Sequence, residues 1–508
     1  MAARLWQAGA PSLWHDEALE WQRAGLPWPL LLQGRPIDQD PPLMAVLLKP
    51  WLALGHQEAW LRAPAALVGA ALVPLLGAAA ARRWGRDTGR VAAALAATAP
   101  VLVHYGQELN QYSGMATLAV ALWLAGEGVL RRGRCMDWWR LNGLTALALG
   151  WHYGLAFPVA AQTAGLAWAG RRVGSRADGR RRPCPEFLPS RRALAGHLLV
   201  CIATAVLLSG LGLGARLATP HNQQRLFGTG LVKELDYLAD HLWREVLVFL
   251  LTPFSGGGAL WVSGGLGLLA LWGATLLWSG GLERRIAAAQ AGPASRDKGR
   301  RLVLGMTTSL ALLYAADITG LYPLGNRWSL FLSPPLLLCL AAGLAALGRA
   351  APALGRGALA GTLLAFFLLW PQRDARNADL AVPREPLREA FVWLAHERRP
   401  GEPLYLTHAT APAFAYYGLD PELLLPNPDP TPAGAMVGRA PVDRSPDDDL
   451  AAFLAATRPA SRLWLIIDRP ELGQADALAR GLTVQRWRRV RVWEQAGLRV
   501  EGWDAGAP

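Results

Sequence analysis

The chain has 508 residues, of which 52% are hydrophobic, and it carries a formal net charge of +13 with 51 Lys and Arg residues. Its mean hydropathy of +0.19 is higher than a soluble protein of this length shows, and long Ala, Leu, Val and Gly runs account for the excess. These values exclude an ordinary soluble multidomain protein and indicate a polytopic membrane protein.

The positive charge is distributed in short clusters, nearly all of arginine, between the apolar runs. A nucleic-acid-binding protein would collect this charge in one patch or stripe. Clusters that alternate with apolar runs are typical of the positive-inside pattern. The charge therefore predicts cytoplasmic loops and no nucleic-acid partner, and the Ala/Arg/Gly-rich composition suggests a bacterial source.

Two acidic segments come first in the chain. Ser12–Ala18 contains the pair Asp16 and Glu17, and a second cluster places Asp38 and Asp40 directly before two prolines. The stretch before Asp16 is too short to span a membrane, so either this loop begins the protein or a first helix precedes Met1; we expect the preceding helix. The second cluster is either part of a site or a helix N-cap.

Apolar segments follow in order. Residues 43–59 are short, are interrupted by Lys49-Pro50 and predict an amphipathic helix on the outer membrane surface. Stretches of about 20 apolar residues predict membrane spans. They are 60–81, 91–106, 113–130, 193–214, 258–279, 301–321, 328–347 and 354–371.

The segment 141–170 decides the topology. It is about 30 residues long, has arginines at both ends and contains His152 in the middle. If it is a hairpin that turns near His152, every Arg-rich loop lies on the cytoplasmic side, as the positive-inside rule requires. A single long helix is the alternative, and it breaks the rule repeatedly. The hairpin gives ten spans after residue 59 and a carboxyl-terminal region outside the cell.

The region from residue 380 onward is different in kind, with more prolines and charges and with apolar runs of strand length. Leu387–Glu397 and Leu450–Ala456 have helical spacing, whereas Pro403–Leu406 and Leu463–Ile467 resemble buried strands. The Pro- and Asp-rich stretch 422–449 predicts a loop. The pattern predicts a small α/β domain.

The residues placed outside the membrane could carry transfer chemistry. Asp16 or Glu17 is suited to act as a general base on an acceptor hydroxyl. A phosphate leaving group needs a cation, which Arg327 at the outer start of a helix could supply, or a divalent metal held by the paired acids Asp16 and Glu17. The candidate substrate-binding residues are Asp38, Asp40, Glu108, Tyr112, His152 and Arg327.

Taken together, these segments resemble the GT-C superfamily of membrane glycosyltransferases, in particular the glycosyltransferase family 39 type that includes protein mannosyltransferases and the aminoarabinose transferase of lipid A. The resemblance covers roughly residues 11–371. Asp40 stands where the family has histidine, and Asn110 where it has arginine. The matching segments, in order, are Ser12–Glu17, Asp38–Leu43, Leu61–Ala66, Tyr105–Tyr112, Trp151–Tyr153 and Arg327–Trp328.

The resemblance implies an α-helical polytopic membrane protein of GT-C type, with about ten or eleven transmembrane helices and a small extracytoplasmic α/β domain. We expect two domains: a transmembrane glycosyltransferase domain with extracytoplasmic catalytic loops over residues 1–375, and the extracytoplasmic α/β domain over residues 376–508. It further implies a polyprenyl-phosphate-linked sugar donor, a lipid, glycan or protein acceptor, inversion at the anomeric carbon, and Asp16 as the leading catalytic acid. The expected location is the bacterial cytoplasmic membrane.

Two other functions stay open on the sequence. A transporter or flippase of lipid-linked saccharides would place acids or broken helices at the bilayer midplane and show repeat symmetry. A non-catalytic envelope-assembly protein would use the carboxyl-terminal domain to bind a partner. Substitution of Asp16 distinguishes these two functions from the enzyme. Sugar transfer by an enzyme would be lost, whereas transport or partner binding would be undiminished.

Overall fold

The computed structural model describes residues 2–6, 8–32, 41–174, 191–208, 257–281, 296–319, 321–324, 326–369, 386–407, 409–417, 435–437, 446–456, 461–468, 474–495 and 497–506. Within them the helices, in chain order, are α1 Ala2–Leu5, α2 His15–Gly25, α3 Trp28–Leu32, α4 Leu43–Leu52, α5 Glu58–Trp84, α6 Arg86–Thr98, α7 Pro100–Tyr105, α8 Tyr112–Arg132, α9 Cys135–Trp151, α10 Ala156–Gly174, α11 Arg191–Leu208, α12 Gly257–Ser279, α13 Arg296–Ile318, α14 Ser333–Ala350, α15 Pro352–Leu369, α16 Leu387–Glu397, α17 Ala411–Tyr417, α18 Pro446–Ala456 and α19 Gln474–Val484. The strands are β1 Leu404–Leu406, β2 Ala435–Val437, β3 Arg462–Asp468, β4 Trp487–Gln495 and β5 Leu498–Ala505.

The chain forms two compact units. The first unit comprises Met1–Trp6, Leu32–Met44 and Arg62–Arg376, and the second comprises Gln7–Leu31, Ala45–Leu61 and Asn377–Pro508. The acidic helix α2 therefore belongs to the same unit as the carboxyl-terminal sheet. The division of the chain at residues 375 and 376 stays a prediction.

The first unit is a helical bundle. By length and composition, four of the described helical segments can span a membrane: Glu58–Trp84, Tyr112–Arg132, Gly299–Ile318 and Arg327–Ala350. The last of these contains α14, whose residues from Leu337 to Ala342 are almost completely buried, so it forms the centre of the bundle. The total of ten or eleven spans stays a prediction, because residues 209–256 lie outside the described part of the chain.

The segment 141–170 divides at His152, as the hairpin prediction requires. Helix α9 ends at Trp151, and a single 3-10 turn, Tyr153–Leu155, leads into α10. His152 has an extended backbone, with φ −159° and ψ 132°. One continuous helix is therefore the wrong alternative.

The predicted span at 91–106 is not one helix. It divides between α6, which ends at Thr98, and α7, which begins at Pro100. Proline has no N–H to donate to the preceding turn, and it disfavours the helical conformation in the residue before it. Ala99 accordingly has φ −54° and ψ 118°.

A buried carboxylate joins helices of the first unit. Glu127 on α8 accepts a hydrogen bond from Arg301 Nε on α13 at 2.9 Å, and Arg83 on α5 lies 4.0 Å from its other oxygen. Loss of one partner would leave a buried charge uncompensated, which is costly in a low-dielectric interior. This cluster therefore serves to hold the bundle together.

The second unit contains a five-stranded sheet in the order β2-β1-β3-β5-β4. Strand β1 is parallel to β2 and β3, whereas β5 is antiparallel to β3 and β4. The helices α18 and α19 cover the sheet with Leu450, Phe453 and Leu482, which pack with Leu465 and Trp503 in one buried cluster.

Most predicted elements of this region are present, at α16, β1, β3 and the later part of α18. The loop predicted at 422–449 was partly wrong, because it contains β2 and the start of α18. Strand β2 has only three residues, too few to show alternation, and it depends on pairing with β1.

Candidate functional site

The acidic pair lies in the first turn of α2. Asp16 is half-buried, and Glu17 is fully buried. Carboxylates in the first turn of a helix are stabilised by the partial positive charge of its unsatisfied N–H groups. The first turn of α2 is therefore a suitable place for carboxylates, the side-chain type expected of a general base.

The chain before α2 is fixed by hydrogen bonds from the carboxyl-terminal region. Ser12 Oγ donates to Glu389 Oε2 at 3.1 Å, and the Leu13 N–H donates to the Tyr417 hydroxyl at 2.6 Å. His15 Nδ1 lies 2.9 Å from the carbonyl oxygen of Ala409. Since a carbonyl can only accept, His15 Nδ1 carries a proton.

The opposite end of α2 is held by Lys49 on α4. Its Nζ donates to the carbonyl oxygens of Ala24, Gly25 and Leu26, at 3.3, 3.4 and 2.5 Å. A cation stabilises the unsatisfied carbonyls at a helix C-terminus. Helix α4 runs through Lys49 and Pro50 and ends at Leu52, so the helix predicted in 43–59 is present in the first part of that segment. The location of α4 on the outer membrane surface stays a prediction.

In the first unit, Glu108 lies in the loop between α7 and α8 and contacts two other polar side chains. Its Oε1 lies 2.8 Å from His104 Nε2, and its Oε2 accepts a hydrogen bond from Asn110 Nδ2 at 2.6 Å. Asn110 Oδ1 also accepts the Tyr112 N–H at 3.0 Å, at the start of α8. Asn110 thus links the buried carboxylate to a helix terminus whose N–H groups need acceptors.

Five side chains next to this loop form what we call the His152 cluster: Tyr112, His152, Tyr322, Arg327 and Trp328. The His152 ring lies between 5.6 and 6.4 Å from the rings of the three other aromatic residues. Such separations are those of interacting aromatic rings. Residues from α8, the break after α9 and the segment after α13 therefore meet at one place.

The cation of the cluster is Arg327. Its guanidinium carbon lies 5.7 Å from the Tyr112 ring centroid and 5.4 Å from the Trp328 ring centroid. Contact with an aromatic face stabilises a guanidinium through the ring quadrupole. The donors of a guanidinium lie in its plane, in a fork that matches a phosphate or carboxylate.

The tautomer of His152 follows from its own turn. The Gly154 N–H donates to His152 Nδ1 at 2.9 Å, so the proton of the neutral ring lies on Nε2. A larger residue at 154 would displace the Tyr322 side chain, since a Cβ there would lie 2.6 Å from the Tyr322 hydroxyl. Asp317 Oδ1 accepts the Leu324 N–H at 2.8 Å and closes the turn that contains Tyr322.

The structure brings Glu108, Tyr112, His152 and Arg327 of the predicted set together in the first unit. Asp16 and Glu17 lie in the second unit, and Asp38 and Asp40 lie outside the described residues. Sequence reasoning missed His104, Tyr322 and Tyr417. The spacing of His104 and Glu108, one helical turn apart, is a signal that could have found the first of these.

A divalent metal would need several oxygen ligands around the acidic pair. Among the described residues, no group of three or more His, Cys, Asp or Glu side chains is arranged to hold a metal ion. Asp16 and Glu17 are the right type of donor, but the described residues group no third acid or histidine with them. A metal held by Asp16 and Glu17 stays a prediction.

The fold of this chain is similar to that of solved membrane-protein structures. No family model and no curated protein sequence matches the chain. ArnT from Cupriavidus metallidurans in the apo state superposes with a TM-score of 0.54 at 14% identity, over 99% of this chain and 96% of that one. The same protein bound to undecaprenyl phosphate gives a TM-score of 0.49 at 12% identity, over 99% and 96% of the two chains. An oligosaccharyltransferase from Archaeoglobus fulgidus, in complex with Zn and sulfate, gives 0.49 at 13% identity, over 98% and 70%. The similarity to apo ArnT extends over both units, and this chain therefore shares the fold of that protein.

Proposed function

We propose that this protein is an inverting glycosyltransferase, a hexosyl or pentosyl transferase that moves a sugar from a polyprenyl-phosphate-linked donor to an acceptor. The reaction would take place at the outer face of the bacterial cytoplasmic membrane. The observation that carries the proposal is the His152 cluster, because it presents a guanidinium against aromatic rings in a protein that shares the fold of ArnT.

In this proposal Arg327 binds the donor phosphate. Transfer of the sugar leaves a second negative charge on the polyprenyl phosphate, and an arginine fork stabilises that developing charge. The rings of Tyr112, Tyr322 and Trp328 exclude water around the ion pair, which strengthens the electrostatic interaction. His152 Nε2–H is a further donor in the same cluster.

Asp16 is the proposed general base, and Glu17 is the alternative. The acceptor oxygen attacks the anomeric carbon and forms the new glycosidic bond, while the bond from that carbon to the phosphate oxygen breaks. The acceptor proton passes to the carboxylate, and polyprenyl phosphate leaves with both electrons of the broken bond. A single displacement of this kind inverts the anomeric centre and needs only one base.

The test is sugar transfer from native polyprenyl-phosphate donors in membranes that contain the full chain, preceded by any upstream segment. We expect the wild type to transfer label and Asp16→Asn to lose transfer by a factor of about 10² to 10⁴, the usual contribution of a general base. Asp87→Asn is the matched control, because Asp87 is also in the first turn of a helix and is exposed; it should retain full transfer.

Equal transfer by the wild type and Asp16→Asn would remove Asp16 as the base and direct the same test to Glu17. If no sugar is transferred but lipid-linked saccharide crosses the membrane, the protein is a transporter. If the protein neither transfers sugar nor moves lipid-linked saccharide, but its second unit retains a partner, an envelope-assembly role is favoured.

A further inference from the structure

The second unit contains a connected set of polar side chains directly before the acidic helix. Arg388 on α16 donates from Nη2 to Glu58 Oε1 at 2.5 Å and from Nε to the same oxygen at 3.0 Å. Its Nη2 also lies 3.3 Å from the Gly9 carbonyl oxygen. One side chain of the carboxyl-terminal region thus joins the start of α5 to the chain before α2.

Tyr417 on α17 completes this network. Its hydroxyl donates to Glu58 Oε1 at 3.2 Å and accepts the Leu13 N–H at 2.6 Å. The Arg388 backbone N–H donates to Ser12 Oγ at 3.2 Å. Gly9, Ser12 and Leu13 are therefore all tied to α16 and α17, and α2 begins two residues after Leu13.

The electrostatics favour a persistent network. Burial alone would lower the pKa of Arg388, but the Glu58 carboxylate and Tyr417 outweigh it, so this pKa lies above its ordinary value. A charge-assisted arginine–carboxylate pair has defined geometry as well as strength. We call Arg388, Glu58 and Tyr417 the α2 clamp.

We propose that the carboxyl-terminal region positions the acidic helix through this clamp, so that Arg388 and Tyr417 are positioning residues for Asp16. The inference rests on the proposed function, since it concerns the residue assigned as the base. Misplacement of a reacting group by about 1 Å can cost about a hundredfold in rate. A flexible Gly9–Leu13 segment would allow such a displacement without removing any reacting group.

The first test compares two matched arginine substitutions in the full-length protein. Arg388→Gln breaks the clamp, and Arg462→Gln breaks the pair with Asp504, which is also 2.5 Å long and lies in the same unit. The two arginines have similar exposure, 33% and 28%. We expect kcat to fall at least tenfold in Arg388→Gln with donor KM within twofold of wild type, whereas Arg462→Gln keeps both.

The second test uses Tyr417→Phe, which removes one oxygen and retains the ring beside Phe391. If Tyr417 acts through Asp16, Tyr417→Phe lowers kcat in the wild type but has no further effect in Asp16→Asn. Such non-additivity identifies residues that act as a unit. A merely destabilising change would lower both backgrounds alike.

Hydrogen exchange of residues 9–18 gives a readout that does not depend on activity. Exchange should become at least tenfold faster in Arg388→Gln and Tyr417→Phe but stay unchanged in Arg462→Gln. If the variants exchange faster but even the wild type transfers no sugar, the positioning of α2 is supported and only the proposed function is contradicted. Unchanged exchange, equal losses in the two arginine variants, or additive effects with Asp16→Asn would overturn the proposal.

Discussion

The His152 cluster of the first unit is held mainly by ring contacts, whereas the acidic helix of the second unit is held by hydrogen bonds and an ion pair. In the cluster, His152 and Arg327 each contact two or more aromatic rings. In the clamp, single oxygen atoms of Glu58 and Tyr417 carry the connections. Packed rings tolerate small changes of shape better than a polar network tolerates the loss of one atom.

Within the His152 cluster and the sheet, the largest effect is expected at Arg327. Arg327→Gln should lower transfer about a hundredfold or more, because it removes the proposed stabilisation of charge on the leaving phosphate. Arg327→Lys keeps the charge but loses the planar fork, so its transfer rate should lie between those of the wild type and Arg327→Gln. Initial transfer rates at equal protein level check this order; a glutamine variant as active as the lysine variant would contradict the role of the charge.

Asn110 tests the polar loop beside the cluster. Asn110→Ala removes the donor to Glu108 and the acceptor of the Tyr112 N–H, so the free energy of unfolding should fall by about 2 kcal/mol, as for hydrogen bonds to charged groups. Thermal unfolding in detergent measures the change. An unaltered unfolding temperature would show that the two contacts contribute nothing.

Gly154 tests how closely the rings pack. A methyl group there would meet the Tyr322 hydroxyl and displace that ring from the His152 cluster. Because a misplacement of about 1 Å can cost about a hundredfold in rate, we expect a smaller shift in Gly154→Ala to lower transfer by about tenfold. Adding Tyr322→Phe removes the nearest oxygen and should restore part of the rate. Gly143→Ala is the control, since no atom lies within 4 Å of its Cβ position; if it lost as much transfer, the close approach at Gly154 would be irrelevant.

The smallest effect concerns the sheet. The hydrogen bond from Arg462 holds the pKa of Asp504 below its usual value, so the pair stabilises the fold above the unfolded-state pKa, about 4, and this stabilisation is lost as the pH falls through the lower folded-state pKa. Asp504→Asn should unfold at a lower temperature than wild type at pH 6, by an amount that disappears at low pH. Surface pairs contribute at most about 1 kcal/mol; a difference that grew toward low pH would contradict the assignment.

The comparison also shows what the sequence could reveal. Tyr112, His152 and Arg327 lie at helix ends in recognisable segments, so their meeting in one cluster, beside the loop that contains Glu108, could be anticipated from the order of apolar runs and arginines. The break at His152 followed from the charge of the flanking loops. Tyr322 was missed because one aromatic residue after an apolar helix is ordinary at a membrane interface.

The clamp could not be predicted in the same way. Ser12 and Glu389 are separated by 377 positions, and Leu13 and Tyr417 by 404. No local pattern marks an arginine or tyrosine as the partner of a segment so distant in the chain. Likewise, β2 is too short to be identified without its neighbour β1.

The most direct test of the account separates binding from turnover in Asp16→Asn and Arg327→Gln. We would measure the affinity of each variant for a polyprenyl phosphate, together with single-turnover transfer from the sugar-linked donor. The account predicts that Asp16→Asn binds polyprenyl phosphate within twofold of wild type but transfers about 10² to 10⁴ times more slowly, while Arg327→Gln binds at least tenfold more weakly. Wild-type transfer by Asp16→Asn would contradict the account.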